Sequence, residues 1–152
     1  VQKEKIKLNE IINSLQNFLN STDWMVIREV ETGKKIPENI NPKIIYSKDL
    51  IFPKELQTDL ENSKIFLDLI RHNHNGLSFR IFEALAMQKK IITTNKTIRD
   101  YDFYNPNNIL ILDENRAIDI NSDFLTTPYE PLSDEIYNKY TIENWVKTVF
   151  KL

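Results

Sequence analysis

Along residues 3–20 the apolar side chains Ile6, Leu8, Ile11, Ile12, Leu15, Phe18 and Leu19 recur largely every three or four positions. That spacing predicts an amphipathic helix, ended by Ser21-Thr22-Asp23. The pattern then changes to short apolar runs. Trp24-Met25-Val26-Ile27 and Ile44-Ile45-Tyr46 read as strands, separated by a loop carrying Gly33, Pro37 and Pro42. Pro53 fits the first turn of a short helix reaching about Leu60, because the N–H it lacks is one that a helix start leaves unpaired anyway.

A strand over Lys64–Leu69 is followed by a polar loop and a helix from Leu77 to about Met87. The order repeats at once. Lys90-Ile91-Ile92-Thr93-Thr94 is a strand of the continuous apolar kind found in buried parallel sheets, and Asn107–Leu112 is the next. Residues 121–135, rich in Pro, Asp, Ser and Thr, read as loop, and a helix over Ile142–Phe150 closes the chain. Strands spaced by helices predict an α/β fold, a doubly wound parallel sheet with helices on both faces. The 152 residues have the size of one ordinary domain, and residues 1–152 are expected to form a single one. A helix that begins abruptly at Val1, with no strand before it, suggests the C-terminal fragment of a longer protein.

Composition narrows the function classes. The longest apolar runs fall far short of the roughly 20 residues a spanning helix needs, and no signal-peptide pattern opens the chain, so a cytoplasmic protein with no transmembrane segment is expected. There is no cysteine, which excludes disulfides and thiolate metal sites. Residues 64–100 carry seven Lys/Arg against three Asp/Glu, whereas residues 101–152 carry four against nine. A basic middle within a mildly acidic chain suits a small anionic ligand better than a nucleic acid, which demands a broader basic face. A chance grouping of solvated charges would give the same balance.

The chain contains two glycines, so a dinucleotide fingerprint with three in six residues is impossible. Gly76 stands where a strand must turn into a helix, at the ligand-binding edge of such a sheet. There a missing side chain lets phosphate approach the backbone, and the first helical turn attracts negative charge. The alternative is a tight turn that needs positive φ and binds nothing. Glu83 lies seven residues further on, roughly 9 to 10 Å along the helix axis, within reach of ribose hydroxyls if a diphosphate occupies the loop. Alternatively it pairs with Arg80 at i, i+3.

Arg71 and Arg80 are candidates to neutralise a diphosphate, since guanidinium matches phosphate geometry and stays charged. His72 and His74 form an H-x-H in a loop without an obvious third ligand, so no metal is expected; His74 is a hydrogen-bonding candidate. Asp68 ends a buried strand and needs a partner, which makes it structural or site-lining. Thr93, Thr94 and Asn95 finish the next strand on the same edge and either contact ligand or serve as a helix cap.

The run from Asn75-Gly76-Leu77-Ser78-Phe79-Arg80 to Glu83-Ala84-Leu85-Ala86, with Thr94-Asn95 after the next strand, resembles the donor-site segment of retaining GT-B glycosyltransferases. More closely, the stretch from Leu67-Asp68-Leu69 to Thr94-Asn95 is similar to capsule and lipopolysaccharide biosynthesis glycosyltransferases, including the spore-protein-like maturation group. The likeness covers about residues 64–112. It implies a Rossmann-like domain, one half of a GT-B fold, in which Glu83 holds the ribose of a nucleotide-diphosphate sugar. Gly76, Leu77 and Ser78 would offer backbone amides to the diphosphate or sugar. The family's first acidic residue is Asn75 here, so the sugar contact must differ: an amide can hydrogen-bond to hydroxyls but supplies no charge.

The resemblance further implies a saccharide or lipid-linked acceptor, held by an N-terminal domain, and a full-length protein peripheral at the inner face of the membrane. No cofactor is expected beyond the donor substrate. The rivals are one half of a nucleotide-sugar epimerase and a non-catalytic α/β interaction or receiver-type domain.

Overall fold

The structure, a computed structural model, describes residues 10–15, 26–29, 44–47, 53–70, 76–113 and 115–151. They divide into two compact units, residues 1–62 with 117–120 and residues 63–116 with 121–152.

In the first unit, residues 10–15 are helical (α1) and bury Ile11, Ile12 and Leu15. These follow the three- and four-residue spacing read from the sequence; the rest of the expected helix lies outside the described residues. Ile120 is buried as well, and its N–H donates to the Ser14 hydroxyl at 3.1 Å. Strands β1 (Val26–Glu29) and β2 (Ile44–Ser47) pair in parallel, with Val26 opposite Ile44. Trp24 and Met25, with which the expected first strand begins, lie outside the described residues. Helix α2 (Pro53–Asn62) opens on its proline, as expected.

The second unit holds a parallel sheet of β3 (Ile65–Asp68), β4 (Lys90–Thr93) and β5 (Ile109–Ile111), in that order. Every residue of β4 is buried, as a central parallel strand covered on both faces requires. The strand order follows the chain without reversing among the described residues, so these strands alone form no topological switch point. Helix α3 (Phe79–Ala86) links β3 to β4 and buries Ile81, Ala84 and Leu85. Full burial of each Ile or Leu contributes about 1.5–3 kcal/mol. With Phe66, Ile91, Ile92, Ile98, Phe103, Ile109, Leu112 and Phe124 they make the core of this unit. The architecture is thus α/β with parallel sheets and helices.

Helix α3 starts at Phe79, two residues after the expected Leu77, because Ser78 has the extended backbone of an N-cap. Further features add to or depart from the sequence reading. Helix α3 ends in a Schellman turn: the Lys89 N–H donates to the Ala84 carbonyl at 2.8 Å and the Gln88 N–H to the Leu85 carbonyl at 3.2 Å. Gln88 takes φ 54°, a conformation usually given to glycine. Residues 121–135, read as loop, contain α4 (Ser122–Thr126) and the start of α5 (Asp134–Lys139), capped by the side chains of Asn121 and Ser133. A 3-10 helix at Lys96–Asp100 follows β4 directly.

Helix α6 (Ile142–Phe150) has the expected bounds, but none of its residues is buried. Ile142, Trp145, Val149 and Phe150 are exposed, as is Tyr137, whereas Tyr140 joins an aromatic cluster. Tyr140 meets Phe103 edge-on at 4.9 Å and Phe82 at 6.0 Å, and Tyr101 stacks on Phe103 at 5.2 Å. Its hydroxyl donates to Asp102 at 2.6 Å, and burial together with that carboxylate raises its pKa. Elsewhere, buried Asn108 bonds both backbone groups of Glu130, accepting from its N–H at 2.9 Å and donating to its carbonyl at 2.7 Å.

Among the described residues no helix is long and apolar enough to cross a membrane.

Candidate functional site

The carboxyl ends of β3, β4 and β5 define one edge of the sheet, where hydrogen bonds join Asp68 to Ser78 and Thr94, and Gly76 to Asn95. The parallel register sets Asp68 opposite Thr93. Asp68 is 8% exposed. One carboxylate oxygen accepts from the Ser78 hydroxyl at 2.7 Å and the other from the buried Thr93 hydroxyl at 2.9 Å. Burying a carboxylate requires such partners. The bonds tie the end of β3 both to β4 and to the start of α3.

Ser78 is the N-cap of α3 and has the extended backbone of a cap, φ −78° and ψ 156°, but its side chain makes no cap hydrogen bond. Its hydroxyl is spent on Asp68. By contrast α4, α5, α6 and the 3-10 helix are capped by Asn121, Ser133, Thr141 and Asn95. In α3 the Ile81 N–H, which the caps of α5 and α6 meet with a side chain, donates to the Ser78 carbonyl at 3.1 Å, so the first-turn amides that keep their polarity at this mouth are those of Phe79 and Arg80.

Gly76 is exposed, and a Cβ placed on it would meet nothing within 4 Å. Its φ lies outside the left-handed region. Neither packing nor backbone conformation demands glycine here, and the turn leaves open space beside the mouth. Its carbonyl accepts from the Asn95 side-chain amide at 3.1 Å, which fastens the loop to the end of β4. Leu77 is half-buried.

Thr94 and Asn95 are buried, and their polar groups are occupied. The Thr94 hydroxyl accepts from the Ile70 N–H at 3.1 Å, and Asn95 caps the 3-10 helix by accepting from the Thr97 N–H at 3.1 Å. Glu83 and Arg80 both lie exposed on α3. No ion pair joins them, or engages either, among the described residues. Arg71, His72, His74 and Asn75 lie outside the described residues.

Electrostatically the edge is mixed. The Asp68 carboxylate adds negative charge beneath the mouth, so a bound anion must be met by cations. Arg80 provides one. Sequence reasoning missed a second, Lys96, which follows Asn95 and reaches Asp113 at 3.4 Å with over half its side chain exposed. The signal was its position just past the end of β4. Asp113 itself follows β5, and the Asn115 N–H, with Lys96 and Arg116 nearby, holds its carboxyl below the ordinary range.

An apolar cavity of about 260 Å³ opens away from these groups, lined on one side by Phe82, Leu85 and Ala86 of α3 and on the other by Tyr137, Tyr140 and Ile142. It touches none of the expected site residues. No cluster of three His, Cys, Asp or Glu side chains suited to a metal occurs among the described residues. Compared with protein families, with curated proteins and with solved structures, the chain matches none.

Proposed function

We propose that this chain is the donor-binding half of a glycosyltransferase, taking a nucleotide-diphosphate sugar at the mouth of α3, within a doubly wound GT-B arrangement. The carrying observation is the diverted cap. Ser78 turns its hydroxyl to Asp68, leaving the Phe79 and Arg80 amides of the helix start to an outside acceptor, with open space at Gly76 on one side and an exposed Glu83 about one turn along.

A diphosphate is the group such a mouth favours, and a carboxylate at that distance suits the hydroxyls of a pentose. As the anomeric bond breaks, charge builds on the departing nucleoside diphosphate. Oriented amides and the Arg80 guanidinium stabilise it at that stage. The acceptor, a saccharide or lipid-linked saccharide of surface polysaccharide or lipopolysaccharide synthesis, would be held by another domain at the inner face of the membrane. On this reading the 152-residue chain alone binds nucleotide without transferring sugar.

Titration with UDP, GDP, ADP and CMP tests it. Saturable binding of one of them is expected, weakened about tenfold or more by Glu83→Gln, because hydrogen bonds to a charged group contribute about 1.5–3 kcal/mol. Absence of saturable binding by all four overturns it. A second reading, a non-catalytic interaction domain, is favoured by the exposed apolar stripe of α6 and would then stand.

A further inference from the structure

Phe79 is 87% exposed, more than any other described large apolar side chain. The other five strongly exposed ones lie on α5 and α6, so Phe79 stands by itself at the carboxyl edge of the sheet. A lone exposed apolar residue is ordinary on a protein surface. What sets Phe79 apart is what shares its face. Residues four apart on a helix are surface neighbours, about 5–6 Å between Cβ atoms, and the residue four beyond Phe79 is the exposed Glu83.

The buried side chains of α3, Ile81, Ala84 and Leu85, occupy its other side, and Phe82 turns to the aromatic cluster at Phe103 and Tyr140. From Gly76 outward the surface therefore presents open backbone, then an aromatic ring, then a carboxylate.

We propose that Phe79 is a binding residue of this site, its ring packing beneath the C–H face of the pentose of a nucleoside diphosphate. The inference rests on the function proposed above and adds a contact to it. A furanose has two kinds of surface, hydroxyls on its edge and C–H groups on its face. A carboxylate beside an aromatic ring meets both, whereas inorganic pyrophosphate would use neither. Because Phe79 opens the helix, its ring lies on the path between a diphosphate at the mouth and hydroxyls at Glu83.

The test uses the 152-residue chain with two probes, the nucleoside diphosphate that it binds best and inorganic pyrophosphate. Phe79→Ala is expected to weaken the nucleoside diphosphate about fivefold or more, the scale of an aromatic packing contact. Pyrophosphate binding should stay unchanged, and Phe79→Trp should restore the nucleotide. Because the ring is exposed, the melting temperature should not move. Equal nucleotide binding by the unaltered chain and Phe79→Ala overturns the role of Phe79 and leaves the site standing. An equal loss for pyrophosphate overturns it too, since the mouth itself is then disturbed. A melting temperature lowered by several degrees means that the protein covers the ring, which overturns it as well. No nucleotide binding by the unaltered chain overturns both proposals.

Discussion

Asp68 shows what a single position reveals in sequence and what it withholds. A carboxylate at the end of a buried strand must have partners, and that much comes from residue type. Which partners cannot be read, because Ser78 and Thr93 lie 10 and 25 residues away and meet it through the turn into α3 and through strand register respectively. The same holds for Asn95: its capping of the next turn is local and legible, while its bond to the Gly76 carbonyl is not. Replacing Asp68 by Ala leaves the fully buried Thr93 hydroxyl without its acceptor, a loss of about 1–3 kcal/mol. Urea unfolding of Asp68→Ala should show it as a lowered midpoint. Asp68→Asn should fall between, since its amide oxygen keeps one hydroxyl and its NH2 faces the other. For Gly76, the strand-to-helix position was apparent from the sequence, but the open space beside it emerges only in three dimensions.

At the scale of elements, apolar patterning located α3, β4 and α6, the helices by stripes at helical spacing and β4 by an unbroken apolar run, all of it buried. It missed α4 and α5 because the residues that cap a helix are those that build turns: Asn121 and Ser133 present an oxygen that either structure can use. It placed the end of α3 at about Met87, close to the observed Ala86, but did not foresee that Gln88 there does what glycine usually does. A side chain in the left-handed region costs roughly 1 kcal/mol, part of which glycine returns through its freer unfolded chain. Gln88→Gly should therefore raise stability by about 0.5–1 kcal/mol, seen as a higher urea midpoint. Gln88→Ala should give no such gain.

For the whole molecule, pH is a direct probe. The Lys139 ammonium, and then the Tyr140 hydroxyl, hold Asp102 below the ordinary carboxylate range. The side-chain amides of Asn105 and Asn107 do the same for Glu130, and Lys147 for Glu143. A carboxyl whose folded pKa lies below its unfolded value contributes stability that is complete above the unfolded value and lost as pH falls through the folded one. The melting temperature should be level from neutral pH to about 5 and fall below about 4. Asp102→Asn should lower the plateau and flatten the acid limb. Composition announced the charge of each segment but not these pairings, which need tertiary contact.

Helix α6 hides none of its side chains and keeps its shape by local means, the Thr141 cap and the Glu143–Lys147 pair. Nine residues so placed are marginal in water. In heavy water its amides should take up deuterium long before those of β4, and anything that settles on the stripe would announce itself as a slowing of that uptake.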